Sequence, residues 1–155
     1  RHSPDLFVPR VNNGTPKILL NPGRHALVDA NFSTLWLRDN TELPVTAFLA
    51  YLNSSMAAAL FEHIGAVMGG GALKIEATHL RSMPIPDLDK LSWNQLGILG
   101  GELANATALG HLDLVRKIDS VICKVIFGPS QFEEKLQALQ IVVKQKKAAR
   151  IRSKG

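Results

Sequence analysis

The chain is predicted to fold as an α+β protein, with a small antiparallel sheet at the N-terminus followed by a mostly helical C-terminal part. Up to about residue 40, short apolar runs alternate with turn signals, whereas from Pro44 onward apolar residues recur at steps of three and four. A length of 155 residues, 46% hydrophobic and 20% charged, suits one hydrophobic core rather than disorder. These patterns divide the chain into a small β-rich lobe at 1–43, a helical part at 44–148 with a short strand at 72–77, and a basic tail at 149–155.

The sheet is expected from Leu6-Phe7-Val8, Lys17-Ile18-Leu19-Leu20, Ala26-Leu27-Val28 and Leu35-Trp36-Leu37, punctuated by Asn12-Asn13-Gly14, Asn21-Pro22-Gly23 and Asp39-Asn40. A single helix follows, with Pro44 in its first turn and Phe48, Leu49, Leu52, Met56, Leu60, Ile64 and Val67 on one stripe. Ala57-Ala58-Ala59 would let a neighbour approach closely. Gly69-Gly70-Gly71 ends this helix as a hinge, since glycine tolerates positive φ. Leu73 and Ile75 then alternate with Lys74 and Glu76 as a half-buried strand, followed by one helical turn and the stiff exit Met83-Pro84-Ile85-Pro86.

Ser92 with Gln95 is a capping-box pattern for a helix carrying Trp93, Leu96, Leu99 and Leu103 as far as Gly110. Gly97, Gly100 and Gly101 weaken that helix locally, by up to about 1 kcal/mol each, so packing must hold it. The next helix places Leu112, Val115, Ile118, Ile122, Val125 and Ile126 on its buried face, Asp119 mostly on the other, and stops at Gly128-Pro129. Ser130 with Glu133 starts a last helix, with Phe132, Leu136, Leu139 and Val143 inward.

The formal charge of +5 is unevenly placed. Lys144, Lys146, Lys147, Arg150, Arg152 and Lys154 fall in one acid-free stretch; without these six of the 18 cations, 12 remain against 13 acids. The basic balance therefore describes a flexible end, and any phosphate contact from the body must be local. One cysteine, Cys123, excludes an internal disulfide framework and suits a reducing cytoplasm. No signal peptide is visible, and the apolar stretch 44–68 is interrupted by Asn53-Ser54-Ser55 and Glu62-His63, so no membrane span is expected. The first residue is Arg1 rather than Met, which leads to the expectation of a piece cut from a larger protein.

The order of Leu52-Asn53-Ser54-Ser55, the three glycines, Leu73-Lys74-Ile75, Leu80 and Pro84-Ile85-Pro86 resembles the target-recognition region of N6-adenine DNA methyltransferases of the restriction-modification type. Ile118-Asp119, Val121, Ile122, Phe127-Gly128-Pro129-Ser130 and Glu133-Glu134 are similar to the helical end of the same enzymes. The resemblance implies a C-terminal target-recognition domain whose partners are double-stranded DNA and an N-terminal catalytic domain of the same parent chain. It also implies a SAM-dependent, adenine-specific parent transferase, in which S-adenosylmethionine is bound by that catalytic domain and not by this fragment.

The fragment lacks the family's adenine-holding motif, an Asn or Asp with two prolines and an aromatic. Asn21-Pro22-Gly23 is the nearest text and reads as a tight turn. The glycine cluster follows a helix, and it lacks both the third glycine of a dinucleotide fingerprint and the lysine of a phosphate loop. His2, His25, His63, His79 and His111 stand at no metal-ligand spacing. A nuclease motif can be forced onto Pro86-Asp87 and Glu133-Glu134-Lys135 only with its lysine on a helix. No catalytic, cofactor-binding or metal residue is therefore assigned.

What remains is recognition. Base edges are read by Arg, Lys, Asn and Gln on loops or ribbons. The candidate DNA-binding residues are Arg10, Asn12 and Asn13 before one turn, Lys17 after it, Arg24 beyond the next, and Lys74 beside the glycines. The expected function is DNA sequence recognition. Two alternatives stay open: one half of a specificity subunit of a multisubunit restriction system, and a protein-interaction or scaffolding domain docking through the two helices of 111–147.

Overall fold

At Arg10 the backbone leaves one sheet and enters another, so the expected single sheet is two. The computed structural model describes residues 3–26 and 29–152. Strand β1 (Leu6–Pro9) is central in the first antiparallel sheet, between β3 (Leu19–Leu20) and β4 (Phe32–Leu35), with Leu6 opposite both Leu20 and Leu35. β2 (Val11–Asn12) joins the second sheet, in the order β2-β6-β5, beside β6 (Leu73–Lys74) and β5 (Ala66–Val67). Arg10 spans the junction: its N–H donates to Asn31 O at 2.9 Å and its carbonyl accepts from Ile75 N at 2.8 Å.

Two predicted strands shift. The run at 35–37 forms its strand upstream at β4, with Trp36 and Leu37 beyond it. Ala26 lies in no strand, and Leu27 and Val28, like His2 and Lys154, lie outside the described residues.

The predicted helix from Pro44 breaks in two, α1 (Val45–Leu52) and α2 (Ser55–Ile64). The cause is the polar triplet. Asn53 grips the residue just before β3, accepting from Ile18 N and donating to Ile18 O, both at 3.1 Å, while Ser54 Oγ caps α2 by accepting from Ala57 N. The three glycines form the β5–β6 hairpin turn, with Gly70 at φ 87° and Gly71 at φ 75°. Helix α3 (Ala77–Arg81) follows, and the proline exit is held by the Tyr51 hydroxyl donating to Pro84 O at 2.5 Å.

Helix α4 (Lys90–Ala104) is capped by Asp89, not Ser92: Asp89 Oδ1 accepts from Ser92 N at 2.8 Å. It ends at Asn105 rather than Gly110, because Thr107 caps α5 (Ala108–Phe127). The buried face of α5 is also rotated from expectation. Leu112, Val125 and Ile126 are exposed while Leu114, Ile118, Ile122, Cys123 and Asp119 are buried. Asp119 can face inward because its carboxylate accepts from Ser55 N at 2.7 Å and Ser55 Oγ at 2.6 Å.

Helix α6 (Phe132–Arg152) brings Phe132, Leu136, Leu139 and Val143 to half-buried positions, as expected, and carries the basic residues on as helix. It packs mainly against α2 and α5, and Ala57 and Ala58 of α2 are buried. One core joins Leu6 and Val8 of the first sheet, Leu73 and Ile75 of the second, Tyr51, Phe61, Trp93, Leu96, Ile118 and Ile122.

Candidate nucleic-acid interface

A gathering of arginines and hydroxyls lies where β4 and its exit meet α3. Sequence places a threonine and an arginine on each wall: Thr34 and Arg38 on one, Thr78 and Arg81 on the other, with Trp36 between. Together with Arg10 they line a groove of about 1000 Å³. Arg38 and Arg81 are exposed, with no ion pair among the described residues, and Trp36 is 50% exposed. Guanidinium forks, hydroxyls and an aromatic face are the groups that meet phosphates, base edges and thymine methyls.

Glu76 is the groove's acid, and it organises the wall. It is the N-cap of α3 within a capping box completed by His79, whose Nδ1 accepts from Glu76 N at 3.1 Å. Lys74 Nζ lies 2.7 Å and Arg10 Nη2 3.2 Å from Glu76 Oε1. Lys74 first, then Arg10, hold its carboxyl below the usual carboxylate range. Arg10 is further anchored by donating to Ala30 O at 3.1 Å.

The six residues singled out from the sequence do not form one cluster. Arg10 and Lys74 meet through Glu76. Arg24 lies beyond Arg38, in an adjoining hollow that Arg38 also lines, and pairs with Asp5 at 2.7 Å. Its φ of 58° is a left-handed conformation that a non-glycine residue rarely adopts. Asn12 corrects the expectation of a surface reader: it is buried, and its Nδ2 donates to Pro9 O at 2.8 Å and Leu73 O at 3.5 Å, so it holds the junction between the sheets. Asn13 is exposed, and Lys17 lines a different cleft, between its own loop, α5 and α6. Sequence reasoning missed Arg38 and Arg81. Their nearest signals are Asp39-Asn40 and the one-turn helix, and neither says that the two arginines share a groove.

Asn21, in the nearest text to an adenine-holding motif, is a turn residue: its Nδ2 donates to Pro4 O and its Oδ1 accepts from Ala26 N. At the Gly69-Gly70-Gly71 turn, Arg150 donates to Gly71 O. Among the described residues no group of three or more His, Cys, Asp or Glu could hold a metal ion, and no helix is long and apolar enough to cross a membrane.

Compared with known proteins, no curated protein and no solved structure matches the chain. A family model does, over residues 1–123, and its description is the C-terminal domain of type II methyltransferase M.Eco57I.

Proposed function

The chain belongs to the family of the C-terminal domain of type II methyltransferase M.Eco57I, and from that premise we propose that it is a DNA sequence-recognition module. It holds a duplex so that a catalytic domain elsewhere in the parent chain can methylate a flipped adenine, in the cytoplasm. By this reading S-adenosylmethionine belongs to that other domain.

The observation that carries this reading is the groove, lined by Arg10, Arg38 and Arg81, one glutamate and an exposed tryptophan. Arg38 and Arg81, free of acidic partners among the described residues, are the first to meet a phosphate or a guanine edge; Arg10, Lys74 and Arg24 bind after exchanging or sharing their carboxylates. Asn13 and Lys17 extend the interface outside the groove, and Asn12 positions Arg10 from behind.

The test is duplex binding measured across a salt series. Arg38→Ala and Arg81→Ala are each expected to weaken binding and to reduce the slope of log affinity against log salt by about 0.9 for each phosphate the variant no longer neutralises. Unchanged affinity and slope in both variants would remove the groove from the interface.

A second reading has its own observation. Leu91, Ile98, Leu109 and Leu112 are 66–89% exposed on α4 and α5, a surface suited to docking a protein partner such as the parent's catalytic domain. Substituting Leu91 and Ile98 by serine should leave DNA binding by this chain intact if the two surfaces are separate.

A further inference from the structure

A second concavity, of about 450 Å³, lies between the loop carrying Thr15 and Lys17 and helices α5 and α6. Lys17, Lys144 and Lys147 line it together with His111 and Gln140, and no aspartate or glutamate does. The nitrogen His111 Nε2 is buried and has no hydrogen-bond partner among the described residues, an arrangement that proteins seldom leave unanswered. Burial and the Lys17 ammonium keep this imidazole below its ordinary pKa, so its own charge adds little to the cleft. The loop is fastened in place: Arg150 Nη2 donates to Gly14 O at 3.1 Å, and Lys147 Nζ lies 3.7 Å from the position a Cβ on Gly14 would take. Asp119, beneath Ser55, accepts from Ser55 N and Oγ and from the Gln140 side chain.

We propose that this cleft binds a phosphate group, held by Lys17, Lys144 and Lys147 and accepting a hydrogen bond from His111 Nε2. Three lysines lining the cleft with one buried donor match a tetrahedral anion with several acceptor oxygens, which a phosphodiester and a free phosphate both supply. A carboxylate, planar and with two oxygens, would leave part of that set unmet. The phosphate is either one of a DNA backbone or one on a small free species. The site goes beyond the groove, shares none of its lining residues, and stands whether or not the groove binds DNA.

The experiment follows the His111 side-chain resonances by NMR in the whole chain during titration with inorganic phosphate, with sodium chloride of equal ionic strength as the control. A saturable shift with phosphate alone is expected, with affinity lowered about tenfold or more in Lys144→Ala/Lys147→Ala, because two of the three ammonium groups are removed. No saturable shift, the same shift with chloride, or the same phosphate affinity in the double variant overturns the proposal. A short duplex added in a parallel arm separates the sources. If it moves the same resonances and inorganic phosphate competes, the ligand is backbone; if only inorganic phosphate moves them, it is a free species. Arg38→Ala, which should weaken duplex binding at the groove, should leave the inorganic-phosphate response unaltered.

Discussion

Gly100 and Gly101 are neighbours in α4 with opposite requirements. A Cβ on Gly100 would collide with Thr46 O of α1 and come within 3.3 Å of Ala50 Cβ, and one on Gly97 would meet Pro44 Cγ at 2.8 Å; a Cβ on Gly101 meets nothing within 4 Å. Gly97 and Gly100, which weaken α4 as an isolated helix, therefore let α1 lie against it, in the most extensive helix–helix packing of the fold. Gly100→Ala should lower stability by about 1–3 kcal/mol, through overpacking against backbone that cannot rotate away. Gly101→Ala should raise it by about 0.5–1 kcal/mol, through helix propensity alone. Urea unfolding of both variants decides the matter, and a similar loss in the two would show that the close approach of α1 is wrong.

At the scale of elements, the polar triplet at 53–55 shows what can be read from the sequence and what cannot. Its interruption of the apolar stripe is legible, but periodicity continues in phase across a two-residue break, so α1 and α2 read as one helix. The inward turn of Asp119 is not legible, because the partner that makes it tolerable, Ser55, is 64 residues away. Burial raises the Asp119 pKa against the opposing hydrogen bonds from Ser55. The folded chain thus keeps a proton that the unfolded chain releases at the ordinary carboxylate value, and stability should fall as pH rises from that value through the raised one. Asp119→Asn cannot ionise and should flatten this slope in denaturant melts taken from acid to neutral pH. Parallel slopes in parent and variant would assign the pH dependence to another group.

Across the whole molecule, Arg150 gathers distant parts. Its Nε and Nη2 reach Glu62 at 3.0 Å, with both side chains 3% exposed, and its remaining donors take Gly71 O and Gly14 O. Nothing in a run of C-terminal cations distinguishes the one that is buried, so from sequence the whole run reads as a flexible end. The groove is hidden for a similar reason: Arg10, Arg38 and Arg81 become neighbours only through the β1–β4 ladder and the placement of α3. Arg150→Met should cost about 3–5 kcal/mol by leaving Glu62 charged and unpaired, and Arg150→Met/Glu62→Gln should recover much of it. Thermal unfolding of the single and double variants measures this; equal losses would mean that the carboxylate is solvated. A truncation after Val143 removes this anchor along with the cations, so charge is better tested by Lys144→Ala and Lys147→Ala. The anchor also bears on kinetics. Its bonds close loops of 79, 88 and 136 residues, pairings that a folding chain acquires late. Arg150 therefore acts on the lifetime of the native state: its removal should hasten unfolding while leaving the folding rate nearly as it was.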